Sequence, residues 1–88
     1  MPESKEGTWY VYVLECENGG LYKGFTQDIK DRYIQHISGK GARYTKAYKP
    51  ICLFYYETHR SEQEAVKREK YLKSGCSREI LKKLQSLI

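Results

Sequence analysis

Six consecutive residues, Trp9-Tyr10-Val11-Tyr12-Val13-Leu14, are apolar or aromatic at every position, so both faces of a strand drawn through them need cover. Their β-branched and aromatic side chains favour extended backbone. A run of this kind predicts the central strand of a sheet with a layer packed on each side. In a chain of 88 residues this leaves room for one domain. Folding at that size buries only about 60% of the unfolded surface, so a surface cleft is expected in place of an enclosed cavity for a bulky cofactor. No apolar run approaches the roughly 20 residues that cross a bilayer, which excludes a membrane partner by insertion. The polar segment Met1 to Thr8 has no apolar signal-peptide core. It reads as a flexible stretch, 1–8, ahead of a domain at 9–88, in a cytoplasmic protein.

The rest of the chain fills in the layers. Asn18-Gly19-Gly20 offers the positive-φ positions of a tight hairpin, and Leu21-Tyr22-Lys23-Gly24-Phe25 returns as the second strand. From about Asp28, capped by Thr26 or Asp28, an apolar stripe of Ile29, Tyr33 and Ile37 predicts a helix ended by Ser38-Gly39. The segment 39–49 is basic and glycine-rich without a period, a loop with room for one turn around Ala42 to Thr45. After Pro50, the run 51–56 predicts a third strand. Ser61-Glu62-Gln63-Glu64 has the form of a capping box, opening a helix to about Ser74 with Gly75 as its carboxyl-terminal cap. Ser77 begins a last helix with Ile80, Leu81, Leu84 and Leu87 on one stripe. The expected fold is α+β, a three-stranded antiparallel sheet flanked by three helices in the order β-β-α-β-α-α.

Charge is distributed unevenly. The net charge is +5, and no carboxylate occurs between Asp31 and Glu57, where Arg32, Lys40, Arg43, Lys46 and Lys49 fall together with His36. An acid-free basic stretch suits a phosphate-facing surface, and equally a solvated loop. Gly39-Lys40-Gly41 lacks the spacing of a nucleotide phosphate loop, so no nucleotide cofactor is expected. Cys16, Cys52 and Cys76 are odd in number and widely spaced, which indicates reduced, mostly buried thiols and neither a disulfide framework nor a zinc knuckle.

Three constellations can carry chemistry. Arg32 and His36, four residues apart, share a helix face beside the apolar stripe, where a guanidinium and an imidazole suit phosphate binding and proton transfer. The plainer alternative is a surface pair with Asp28 one turn earlier. On the later helix Glu69 projects between Ala65 and Val66, on the inner arc that Leu72 extends. A carboxyl group there must be paired, protonated or bound to metal. Lys73, four residues on, can pair with it, and a single Mg²⁺ with water and substrate ligands is the other option. Tyr12 and Tyr22 lie on adjacent strands. A two-residue Asn18-Gly19 turn puts them on opposite faces, and a three-residue Asn18-Gly19-Gly20 loop on the same face. In the second case Gly24 shares that face and leaves space for a phosphate to approach.

These residues resemble the GIY-YIG nuclease superfamily, in particular its small stand-alone bacterial members, from Trp9 to about Leu84. Tyr10-Val11-Tyr12 stands where the family has Gly-Ile-Tyr, and Tyr22-Lys23-Gly24 where it has Tyr-Ile-Gly. Arg32 and His36 follow the second tyrosine by ten and fourteen residues, Arg68-Glu69-Lys70 carries the glutamate, and Gly39-Lys40-Gly41-Ala42-Arg43-Tyr44-Thr45 is similar to the loop of the small subgroup. The resemblance implies hydrolysis of DNA phosphodiester bonds with one Mg²⁺ or Mn²⁺ held by Glu69. Tyr12 and Tyr22 would share the roles of general base and nucleophile positioning. Arg32 would stabilise the phosphate, His36 would assist proton transfer, and Gly24 would be structural. Lys40, Arg43, Tyr44, Lys46 and Lys49 would contact DNA. Branched, damaged or single-stranded DNA is the expected substrate class, in repair or recombination, with a protein partner supplying specificity. The alternative is a nucleic-acid-binding or partner-binding module that keeps the fold without cleavage.

Overall fold

The structure, a computed structural model, describes residues 5–73. Within them the chain forms β1 (Trp9–Cys16), β2 (Leu21–Thr26), α1 (Ile29–Ile37), α2 (Arg43–Ala47), β3 (Pro50–His59) and α3 (Glu62–Lys73). The sheet is antiparallel throughout in the order β2-β1-β3, so the doubly apolar run is the central strand. Val11 and Val13 bury one face with Ala65 and Leu72 of α3, while Tyr10, Tyr12 and Leu14 bury the other with Ile29 of α1. Three helices flank the sheet, as expected, but one of them is α2, inside the segment read as a loop with a turn. The predicted cap at Gly75 and last helix from Ser77 lie outside the described residues.

The hairpin settles the question of faces. Its loop is three residues long but starts one residue earlier than expected: Glu17, Asn18 and Gly19, with Gly19 at φ +80°. Cys16 N donates to Gly20 O at 2.9 Å, and Tyr12 pairs with Gly24 across the strands. The register differs by two positions from the one expected for a three-residue loop, and a shift of two preserves every face. Tyr12, Tyr22 and Gly24 therefore share one side of the sheet. Against β1, β3 carries two register shifts; the first lets the consecutive residues Phe54 and Tyr55 both pack on the Val11 side.

Local capping follows the sequence closely. Asp28 accepts from the Asp31 backbone N–H at 3.0 Å at the start of α1, and Gly39 adopts φ +82° just beyond its end. At α3 one half of the expected capping box is made, from Glu64 N to Ser61 Oγ, while the Glu64 carboxylate reaches one residue further back and accepts from Arg60 N. One expected core position moves. Ile37 is 37% exposed while His36 is fully buried, so the inner arc of α1 runs through Ile29, Tyr33 and His36. The imidazole takes the apolar position because its two nitrogens find partners there and its ring finds a seat against Gly41, where any side chain would collide with it.

Candidate active site

Four of the sequence-predicted residues converge on the α1 side of the sheet. The Tyr12 hydroxyl lies 2.9 Å from His36 Nε2, and both groups are buried, at 3% and 0% exposure. Tyr22, half-buried, packs its ring 5.0 Å from the imidazole and 6.4 Å from the Tyr12 ring. Arg32, one turn before His36, reaches the same phenol, and its guanidinium is aimed by a hydrogen bond to Gln35 Oε1 at 2.8 Å, with Gln35 in turn held by Asp31. The expectation that His36 sits at the edge of the core is corrected: it is inside.

Gly24 has a different part from the one expected. A Cβ there would lie 2.5 Å from the Tyr12 hydroxyl oxygen, so the tyrosine ring itself lies over the glycine and fills the space foreseen for a phosphate. Glycine is required because the ring rests directly on backbone. Gly41 does the same for the imidazole, and Thr45 Oγ1 lies 2.7 Å from His36 Nδ1. Neither residue was singled out from sequence, since only the fold of α2 over α1 brings them to the ring.

Electrostatically the site holds neutral groups beside charged ones. Burial pushes the Tyr12 phenol up to about 12, against a hydrogen bond from Arg32 that pulls it down. Tyr22 is raised in the same sense, chiefly by burial, with Lys73 and Arg32 opposing. His36 is lowered to about 4 by burial first and by the Arg32 charge second. Both members of the Tyr12 and His36 pair are therefore neutral across the physiological range.

Glu69 comes from α3, on the opposite layer, yet its charge raises both tyrosines. Its carboxylate is 14% exposed and pairs with Lys73 Nζ at 2.7 Å, which is the intrahelical pair foreseen as one alternative. Among the described residues no group of three or more His, Cys, Asp or Glu could hold a metal. A single, partly exposed carboxylate that already accepts one cation does fit a hard divalent ion whose other ligands are waters and phosphate oxygens. It does not fit a closed structural site.

The proposed DNA contacts lie on and beside α2. Lys40, Arg43, Lys46 and Lys49 are exposed. Tyr44 is held between neighbours: its ring stacks on Tyr22 at 6.1 Å, meets Tyr48 at 5.4 Å, and its hydroxyl accepts from Asn18 Nδ2 at 3.0 Å. Of the two described cysteines, Cys16 is buried, whereas Cys52 is exposed and sits against Glu15.

The model of the GIY-YIG catalytic domain matches residues 8–83. The chain belongs to the GIY-YIG family. It is 42% identical over 76 residues to a UPF0213 protein of Staphylococcus epidermidis, covering 86% of this chain and 93% of that one. A UPF0213 protein of Streptococcus agalactiae is 50% identical over 64 residues, covering 73% of each. The solution NMR structure of a UPF0213 protein from Bacillus halodurans superposes with a TM-score of 0.54 at 39% identity, over 88% of this chain and 84% of that one. Membership of the GIY-YIG family supports an endonuclease type of function with DNA as substrate and a general dependence on metal. No helix among the described residues is long and apolar enough to cross a membrane.

Proposed function

We propose that this GIY-YIG domain is an endonuclease that hydrolyses phosphodiester bonds in branched, damaged or single-stranded DNA, in repair or recombination. The observation that carries the reading is one phenol oxygen, Tyr12, hydrogen-bonded to a buried neutral imidazole and felt by both the Arg32 guanidinium and the Glu69 carboxylate. In water a tyrosine of pKa near 10 is a poor base at neutral pH. Tyr12 acts as a relay. As the attacking water forms its bond to phosphorus, its proton passes to the phenol oxygen, the phenol proton passes to His36 Nε2, and the leaving oxygen is protonated from solvent. Arg32 binds the non-bridging oxygens, where charge develops. That contact also neutralises the cation that lowers His36, so the bound phosphate raises the affinity of the imidazole for the incoming proton. Tyr22, at the mouth, orients the water. Glu69 would hold one Mg²⁺ or Mn²⁺, which supplies further stabilisation of phosphate charge when bound. Lys40, Arg43, Lys46 and Lys49 would track the DNA backbone without reading sequence, leaving specificity to DNA shape or to a protein partner.

The test is cleavage of labelled single-stranded, flap, fork and four-way DNA with Mg²⁺ or Mn²⁺, repeated with chelator and with Glu69→Gln. Cutting that needs metal and is lost in the variant is the expected result. Salt-sensitive binding that survives in Glu69→Gln, with no cutting by the native chain, would replace the reading with that of a non-catalytic binding module.

A further inference from the structure

Thr45 is 1% exposed, although four of the five residues of its helix, α2, are not buried. Burying a hydroxyl costs free energy unless its hydrogen-bonding capacity is met. Here Thr45 Oγ1 donates to the Ala42 carbonyl, three residues back, at 3.0 Å, and lies 2.7 Å from His36 Nδ1. A hydroxyl has one proton. With that proton on Ala42, Oγ1 has only lone pairs for His36, so Nδ1 must bring the proton. Nε2 is then the bare nitrogen, and it faces the Tyr12 hydroxyl at 2.9 Å. Among the described residues one other group addresses Nδ1, the Ala42 backbone N–H at 3.5 Å. It favours the opposite tautomer, but at that length it is much the weaker contact.

We infer that Thr45 is a positioning residue, which fixes His36 with its proton on Nδ1 and so keeps Nε2 open to receive the proton of Tyr12. The tautomer follows from hydrogen-bond geometry; its catalytic consequence rests on the endonuclease reading. Neighbouring Tyr44 explains how so short a helix can hold this position. Successive residues of a helix point about 100° apart, so Tyr44 stacks on Tyr22 and bonds to Asn18 in the hairpin loop while Thr45 turns inward. The hairpin thereby anchors the element that orients the histidine.

Nitrogen-15 NMR of the imidazole ring decides the point, because protonated and bare ring nitrogens resonate far apart. The native chain is expected to show His36 protonated at Nδ1. Thr45→Val keeps the shape but removes the acceptor, leaving the Ala42 N–H to face Nδ1, and the population moves toward Nε2–H. Thr45→Ser retains the native pattern. In the cleavage assay Thr45→Val is expected to lose roughly 10- to 100-fold in kcat, the scale on which outer partners of functional histidines act, with KM unchanged and Thr45→Ser near native. A native chain protonated at Nε2, or a Thr45→Val spectrum identical to native, overturns the inference. The native spectrum decides the tautomer even if the valine chain does not fold. The expected tautomers in a chain that cuts no DNA would overturn the endonuclease reading alone.

Discussion

Each face of the sheet carries a tyrosine and a histidine in one hydrogen-bonded cluster, and the two clusters are opposite in kind. On the α1 side Tyr12, His36 and Thr45 are linked without a formal charge among them. On the α3 side Glu57 accepts from the Tyr55 hydroxyl at 2.7 Å, from His59 Nε2 at 2.6 Å and from Arg68 Nε at 2.9 Å. Burial pushes the Glu57 carboxyl up, but its three donors outweigh burial and hold it below its ordinary value. Burial goes unopposed at His36, where the Arg32 charge adds to it, and dominates at Tyr12. A carboxylate at the centre thus makes one cluster a tie between β3 and α3, while its absence leaves the other free to pass a proton. A surface depression bordered by His59 and Glu64 adjoins the tie, and Tyr12, Tyr22, Arg32, His36 and Thr45 are not among its lining residues.

The contrast breaks most decisively at Tyr12. Tyr12→Phe keeps the ring over Gly24 and removes the transferable proton, so kcat should fall about 10²- to 10⁴-fold in a chain that still folds, with about 1–3 kcal/mol lost because His36 Nε2 is left unpaired. A phenylalanine chain that cuts at the native rate would remove the relay. Acidity gives the next largest effect. An unfolded histidine takes its proton near 6.5 and His36 only near 4, so across that window the unfolded chain binds more protons. Stability should therefore fall as pH drops from 6.5 to 4, by up to about 3 kcal/mol, and His36→Gln should flatten that limb in urea titrations. Glu57 adds to the loss below 4.5, because its folded pKa lies under that value and its stabilisation disappears as it is protonated. At the alkaline end Tyr12 keeps its proton to about 12 against 10 when unfolded, so stability should fall again as pH rises through that interval.

Disrupting the other cluster should cost stability and spare cleavage. Glu57→Ala strands Arg68 and His59 and should cost about 2 kcal/mol in chemical denaturation, with kcat unchanged. A loss of cleavage without a loss of stability would show that the two faces are coupled. The smallest effects are expected on the exposed rim. Single alanines at Lys40, Arg43, Lys46 or Lys49 should each reduce the slope of log affinity against log salt by about 1, alike for every DNA sequence. A change in sequence preference would instead assign that side chain to a base edge.

The strands, the caps of α1 and α3, and the acid-free stretch were legible because they depend on neighbours within about four residues or on a simple period. Asp28 and Asp31, or Ser61 and Glu64, meet whatever the rest of the chain does. The parity of the hairpin was legible as a choice between two loop lengths, and the observed loop kept Tyr12 and Tyr22 together although it begins at Glu17. The resemblance carried by Tyr12, Tyr22, Arg32, His36 and Glu69 pointed to the family. It did not reveal that His36 would displace Ile37 from the core.

The sequence by itself determined which residues could form a doubly covered strand, where α1 and α3 begin, and which side chains could bind phosphate. Periodicity, capping and charge are short-range properties, each satisfied locally. Tertiary structure decided that α2 forms over α1, that Gly41 and Thr45 close on the imidazole, and that Glu69 of one layer is felt by the tyrosines of the other. Gly41 and Thr45 stand 5 and 9 positions from His36, and Glu69 stands 47 and 57 from Tyr22 and Tyr12. The free energy of these contacts exists only once two elements have been brought together and water has been excluded between them. Burial of that kind makes the tyrosine and histidine a neutral pair, and no pattern along the chain encodes it.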